Sequence, residues 1–118
     1  MKWIQKVSKR NVTVSTSQVP GSNYNALKAT STITGTLDDV VKLLWDDTRL
    51  GEYDDLFDFI VFIRVLSDGD KAPKTRRICC KGIWPTAPRD FITTTSVTSL
   101  GDGRVLIASR SPENSDSL

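Results

Sequence analysis

The chain has 118 residues and a mass of 13.1 kDa, enough for one compact domain and too few for two of ordinary size. With 38% hydrophobic and 25% charged residues it is neither a disordered polymer nor a membrane-embedded chain, and a net charge of +2 is too even for a surface built wholly to bind nucleic acid. There is no His, which excludes His-based triads, His-containing zinc sites and a His general base.

Met1-Lys2-Trp3-Ile4-Gln5-Lys6 lacks the apolar run that follows the charges of a signal peptide, and Trp3–Val7 reads as a strand or a helix remnant. Val12–Thr16 and Leu27–Ile33 alternate Thr, Ser and Val at a period of two around Pro20-Gly21-Ser22-Asn23, the pattern of two strands joined by a loop. At Gly35-Thr36-Leu37 the period changes. Thr36 offers the hydroxyl of a helix N-cap, Asp38 and Asp39 sit where the helix dipole favours negative charge, and Val40, Val41, Leu44 and Trp45 recur at helical spacing. Asp46-Asp47-Thr48-Arg49 and Gly51 interrupt this helix, and Glu52–Phe57 is predicted to add a further short helical turn.

Phe59–Leu66 is β-branched and aromatic without helical spacing, and its apolar character on both faces predicts a strand covered on both sides. Ser67-Asp68-Gly69-Asp70 marks a turn, Thr75–Trp84 the returning strand, and Pro85–Asp90 a loop whose prolines lack the ladder donor. Phe91–Leu100 and Arg104–Arg110 form a hairpin across Gly101-Asp102-Gly103. Neighbours on a strand point to opposite faces, so Cys79 and Cys80 are expected as free thiols, which fits a reducing, cytoplasmic compartment. The longest apolar runs, Phe59–Ile63 and Val105–Ala108, are too short to cross a bilayer as helices. Strands, one helix and then hairpin-linked strands make an α+β pattern with one antiparallel sheet, since the later turns are too short for parallel crossovers. The tail Ser111–Leu118 is polar and turn-rich and reads as the middle of a domain.

Trp45-Asp46-Asp47-Thr48-Arg49-Leu50-Gly51-Glu52-Tyr53-Asp54 resembles the helix-end signature of START lipid-transfer domains, with Asp46, Arg49, Tyr53 and Asp54 in its positions and Tyr53 where Trp is commoner. Pro88-Arg89-Asp90-Phe91 resembles the family's Pro-Arg-Asp-Phe segment between two central strands, and Ser109-Arg110-Ser111 the small-residue end of the strand after it. The resemblance is strongest over 24–111. It implies a single helix-grip domain over 1–118, in which a curved antiparallel sheet grips a long C-terminal helix around a lipid-sized cavity. It also implies that the last strands and that helix are missing from this chain, so the domain is expected to be incomplete. The arginine that some sterol-binding members carry after Pro-Arg-Asp-Phe is replaced within Thr93-Thr94-Thr95, which weighs against a sterol-specific site.

Trp84-Pro85-Thr86-Ala87-Pro88 resembles the loop over the cavity entrance, which makes Trp84, Pro85 and Pro88 lid candidates able to touch a membrane. A core Trp at a strand end explains Trp84 equally well. Phe91, Thr93 and Thr95 are candidate lipid contacts, the threonines as oriented hydroxyls in an apolar pocket or simply as strand formers. Arg89 and Asp90 are expected to pin the loop. Lys71, Lys74, Arg76, Arg77 and Lys81 read as a solvated hairpin face, with attraction of anionic headgroups as the alternative. A nucleophilic Cys79 would have Arg77 and Lys81 beside it but no His, and two adjacent thiols do not make a zinc site.

The expected function is a lipid-binding domain that encloses one hydrophobic molecule (lipid, sterol or phospholipid) for transfer or sensing, with no catalytic residue, cofactor or metal. The expected partners are the lipid and a transient membrane surface, not nucleic acid, with room for fused domains outside the chain. A helix-grip cyclase or hydrolase using the same cavity, or a regulatory module with a vestigial pocket, are the alternatives.

Overall fold

The Thr, Ser and Val alternation of the N-terminal third forms three strands, β1 (Ile4–Lys9), β2 (Val12–Gln18) and β3 (Asn25–Ser31), hydrogen-bonded in that order with every pairing antiparallel. Trp3–Val7 thus belongs to a strand. The β1–β2 connection is a two-residue turn with Arg10 at φ 54° and Asn11 at φ 64°, the positive pair that matches the twist of a hairpin. Asn11 also fastens the turn to the end of β3, donating from Nδ2 to the Thr32 carbonyl at 3.3 Å and accepting from Ser31 Oγ at 2.8 Å. The computed structural model describes residues 2–65 and 72–112 and divides after Gly35 into two compact units, of which these strands form the first. The predicted turn Ser67–Asp70, Leu66, Lys71 and the end of the tail (113–118) lie outside the described residues.

The second unit opens with helix α1 (Leu37–Trp45), and Thr36 is its N-cap, with the hydroxyl accepting from the Asp39 amide at 3.1 Å. Val41 is its buried residue, and Asp38 pairs with Lys42 one turn on at 2.8 Å. The predicted helical turn at Glu52–Phe57 is displaced: a 3-10 helix covers Asp47–Glu52, and Phe57 already begins a strand. Asp46 decides this. Its carboxylate accepts from the Thr48 amide at 3.0 Å and the Thr48 hydroxyl at 2.7 Å, so it closes α1 and caps the next turn at once.

Four further strands form a second antiparallel sheet, ordered β4 (Phe57–Val65), β5 (Lys74–Cys80), β6 (Arg89–Gly101) and β7 (Arg104–Arg110). The α+β class and the antiparallel pairing follow the sequence, but the strands are bonded as two sheets instead of one. β4 shifts register between Phe57 and Phe59 and again between Phe62 and Arg64, irregularities that bend a strand. It lies at the edge, and Phe59, Val61 and Phe62 are exposed where the sequence predicts cover on both faces. β5 stops at Cys80 instead of running to Trp84, and Arg89 and Asp90 are the first residues of β6 instead of the end of a loop. The β6–β7 hairpin turns through Gly101, Asp102 and Gly103, all at positive φ.

The register sorts the second sheet into two faces. Ile60, Ile78 and Phe91 stand opposite one another, as do Phe62, Arg76 and Thr93, and Lys74 lies opposite Thr95. These residues share one face. Thr75, Arg77 and Cys79 share the other with Asp90, Ile92 and Thr94. Cys79 and Cys80 are free thiols on opposite faces, the first buried and the second half-buried.

Candidate functional site

The face that carries Arg76 and Phe91 holds two features side by side, a buried charged cluster and an apolar groove. The cluster begins where α1 ends. Asp47 forms ion pairs with Lys74, at 3.1 Å, and with Arg76. Lys74 Nζ also donates to the Trp45 carbonyl at 2.6 Å and sits 4.0 Å from the centre of the Trp45 ring, while Arg76 donates to Thr95 Oγ1 at 2.9 Å. Thr95 in turn shares a hydrogen bond with Ser109 Oγ at 2.6 Å. Lys74 and Arg76 are only 8% and 6% exposed, which overturns the reading of both as part of a solvated face. Burial pushes the Lys74 ammonium below its ordinary value, against the pull of Asp47, and the neighbouring Arg76 charge adds to the lowering.

Two buried polar atoms of this face have no hydrogen-bond partner among the described residues, Arg76 Nε and Thr93 Oγ1. They belong to residues directly opposite each other on β5 and β6. Thr93 and Thr95, both expected as ligand contacts, therefore differ: the Thr95 hydroxyl is engaged by protein and the Thr93 hydroxyl is not. The cation that reaches Thr95 across the strands is Arg76, which donates to its hydroxyl.

Toward the other end of β6, the groove of about 360 Å3 is lined by Leu56, Cys80, Lys81, Ile83, Ala87 and Phe91, together with Thr86 and Arg89. The segment between β5 and β6 forms its rim. Lys81 N donates to the Leu56 carbonyl at 2.7 Å, and Thr86 N to the Ile83 carbonyl at 2.6 Å. Gly82 is packed so closely that a Cβ there would stand 2.8 Å from Pro88 N and 2.9 Å from the Thr86 carbonyl oxygen. Trp84, 92% exposed and followed by a cis bond to Pro85, projects from this segment and lies outside the groove lining, as does Pro85. Trp84 is thus not packed into a core formed by the described residues.

Pro88 and Asp90 line a smaller recess of about 230 Å3 with Arg77, Cys79 and Phe59. Asp90 pairs across the strands with Arg77 at 2.5 Å, which holds the Arg77 guanidinium above its usual value; both side chains are about half exposed. Arg89 lines both recesses. Among the described residues no three His, Cys, Asp or Glu side chains are grouped to hold a metal ion, and no helix is long and apolar enough to cross a membrane. Asp47 was not singled out from the sequence, because its partners lie twenty-nine residues or so downstream.

An antiparallel, curved sheet with an apolar groove on one face defines a helix-grip type of binding fold. The chain matches the START domain family over residues 1–117 and belongs to it. Among solved structures it is similar to the lipid transfer and protein localization domain of human StarD13 (DLC2), with a TM-score of 0.82 and 18% identity over 98% of the chain. It is also similar to a STAR-related lipid transfer protein from Xanthomonas axonopodis (TM-score 0.79, 18% identity, 93% of the chain). Human StAR-related lipid transfer protein 5 has a TM-score of 0.73 and 21% identity over 96% of the chain. The chain spans 60%, 60% and 54% of the lengths of these three structures, respectively. Among the described residues no helix follows β7. No curated protein sequence matches the chain.

Proposed function

We propose that this chain is a lipid-binding domain that holds one hydrophobic molecule against its second sheet, for transfer or sensing, without covalent chemistry. The observation that carries this reading is that the face holding the apolar groove at Phe91 continues, beyond the groove lining, to two buried polar atoms with no hydrogen-bond partner among the described residues, Arg76 Nε and Thr93 Oγ1. A strand rises about 3.4 Å per residue, so Thr93 lies roughly 7 Å along β6 from Phe91. An apolar tail occupies the groove, and an acceptor at its polar end meets the guanidinium and the hydroxyl. Removal of the tail from water supplies about 25 cal/mol for each Å2 of apolar surface covered. The two donors select a lipid whose polar end accepts hydrogen bonds. Trp84 and Pro85 serve the same function from the rim, as the part of the lid that touches a transient membrane surface while the groove opens, with Pro88, Arg89 and Asp90 fixing its far end.

The test is mass spectrometry of lipid extracted from the purified protein, beside Phe91→Asp, which places a carboxylate in the groove. One lipid class bound by the parent and lost in the variant is the expected result. Absence of any bound lipid, or equal lipid in both proteins, would overturn the reading.

A further inference from the structure

The even charge of the whole chain conceals a division between its two units. All fourteen acidic residues lie after Gly35, whereas the first unit carries five basic residues, Lys2, Lys6, Lys9, Arg10 and Lys28, and no acidic one. Four of the five lie on or beside β1, which pairs only with β2 among the described residues and so forms an edge of the first sheet. Every residue of β1 is exposed, including Ile4 and Val7. Trp3 stands at its start, with the Lys28 ammonium 4.7 Å from its ring centre. The result is an edge about 20 Å long that carries cations together with exposed aliphatic and aromatic side chains on its two faces.

We propose that this β1 edge is a docking surface for an anionic lipid bilayer. Long cationic side chains reach the headgroup layer while their stems and neighbouring apolar side chains enter the boundary beneath it, which matches the register of β1, where Ile4, Val7 and Lys9 stand opposite Thr16, Val14 and Val12 and so share one face. Nucleic acid fits less well. Its phosphates would suit the cations, but binding to bases draws on aromatic faces, and Ile4 and Val7 have none. Edge strands also carry lysines simply to discourage pairing with other chains. That role needs charge of either sign and leaves unexplained the exclusion of acidic residues from the whole unit.

Each basic residue brought to an anionic surface multiplies partitioning about fivefold, so charge reversal at two positions lowers it by at least about 25-fold. Flotation of the full chain with vesicles of equal phosphatidylcholine and phosphatidylserine separates membrane binding from aggregation. Binding to these vesicles is expected to exceed binding to phosphatidylcholine alone and to weaken as salt shortens the screening length. Lys6→Glu/Arg10→Glu is expected to abolish it, and Lys42→Glu/Arg104→Glu, an equal change in net charge placed in the second unit, to spare it. Equal binding to neutral vesicles, equal loss in both double variants, or preference for an oligonucleotide over the vesicles would overturn the proposal. None of these outcomes depends on whether a lipid occupies the groove.

Discussion

Asp47 is the residue on which the buried cluster turns, because one carboxylate answers two cations that have left water. Asp47→Asn leaves Lys74 and Arg76 facing each other without a counter-charge, and breaking such a buried pair costs about 3–5 kcal/mol. Urea unfolding of the variant is expected to show a loss of that size. Lys74→Met should behave in the opposite way: it removes a charge that burial disfavours and leaves the Asp47–Arg76 pair intact, so its stability is expected within about 1 kcal/mol of the parent or above it. The sign with pH follows from the lowered Lys74 value. Below the folded value both states hold the proton and the cost of burial is complete. As pH rises through that value toward the ordinary lysine value of about 10.4, the native state releases its proton first and the cost declines. The advantage of Lys74→Met over the parent is therefore expected to be greatest near neutrality and to shrink on the alkaline side. A constant difference across that range would show that burial of this ammonium carries no cost.

At the scale of elements, the segment from Lys81 to Pro88 is held by contacts too close to admit another atom at Gly82. Gly82→Ala must move backbone at Pro88 N as well as the proline ring, and such overpacking costs about 1–3 kcal/mol. A lower melting temperature is expected, and the companion Pro88→Ala change should restore only part of it because the backbone nitrogen remains. The helix after Thr36 and the hairpin at Gly101-Asp102-Gly103 were legible in the sequence because cap, charge and turn chemistry lie within a few residues of the elements they define. The 3-10 helix was misplaced because Asp46 serves two neighbouring elements, a role no periodicity records. Lys74 and Arg76 resemble any charged hairpin in sequence. Their burial depends on Asp47 and Trp45, which only the folded chain brings to them. Phe91, Thr93 and Thr95 were legible as one face because strand alternation is local, but the distinction between the engaged and unengaged hydroxyls lies in neighbouring strands.

For the whole molecule, the two units differ in what holds them together. The buried hydrophobic residues among those described, Val41, Ala72 and Cys79, all follow Gly35, while the buried residues of the first unit are Ser15 and Ser17. A three-stranded sheet with no buried apolar side chain opens readily. Hydrogen exchange in the full chain is expected to be faster at β2 than at β5 or the centre of β6, although all three are flanked by strands on both sides. Equal protection would mean that the first unit draws stability from a source other than its own burial. The pleat at Cys79 and Cys80 also gives the second sheet a two-channel chemical readout. Cys80 lines the groove and also reaches the smaller recess, whereas Cys79 is buried in the smaller recess alone, so a single alkylating reagent samples both sites in one digest. A molecule seated beside Phe91 would slow modification of Cys80 alone, whereas global loosening would quicken both, and the ratio of the two adducts separates occupancy from unfolding without any engineered label.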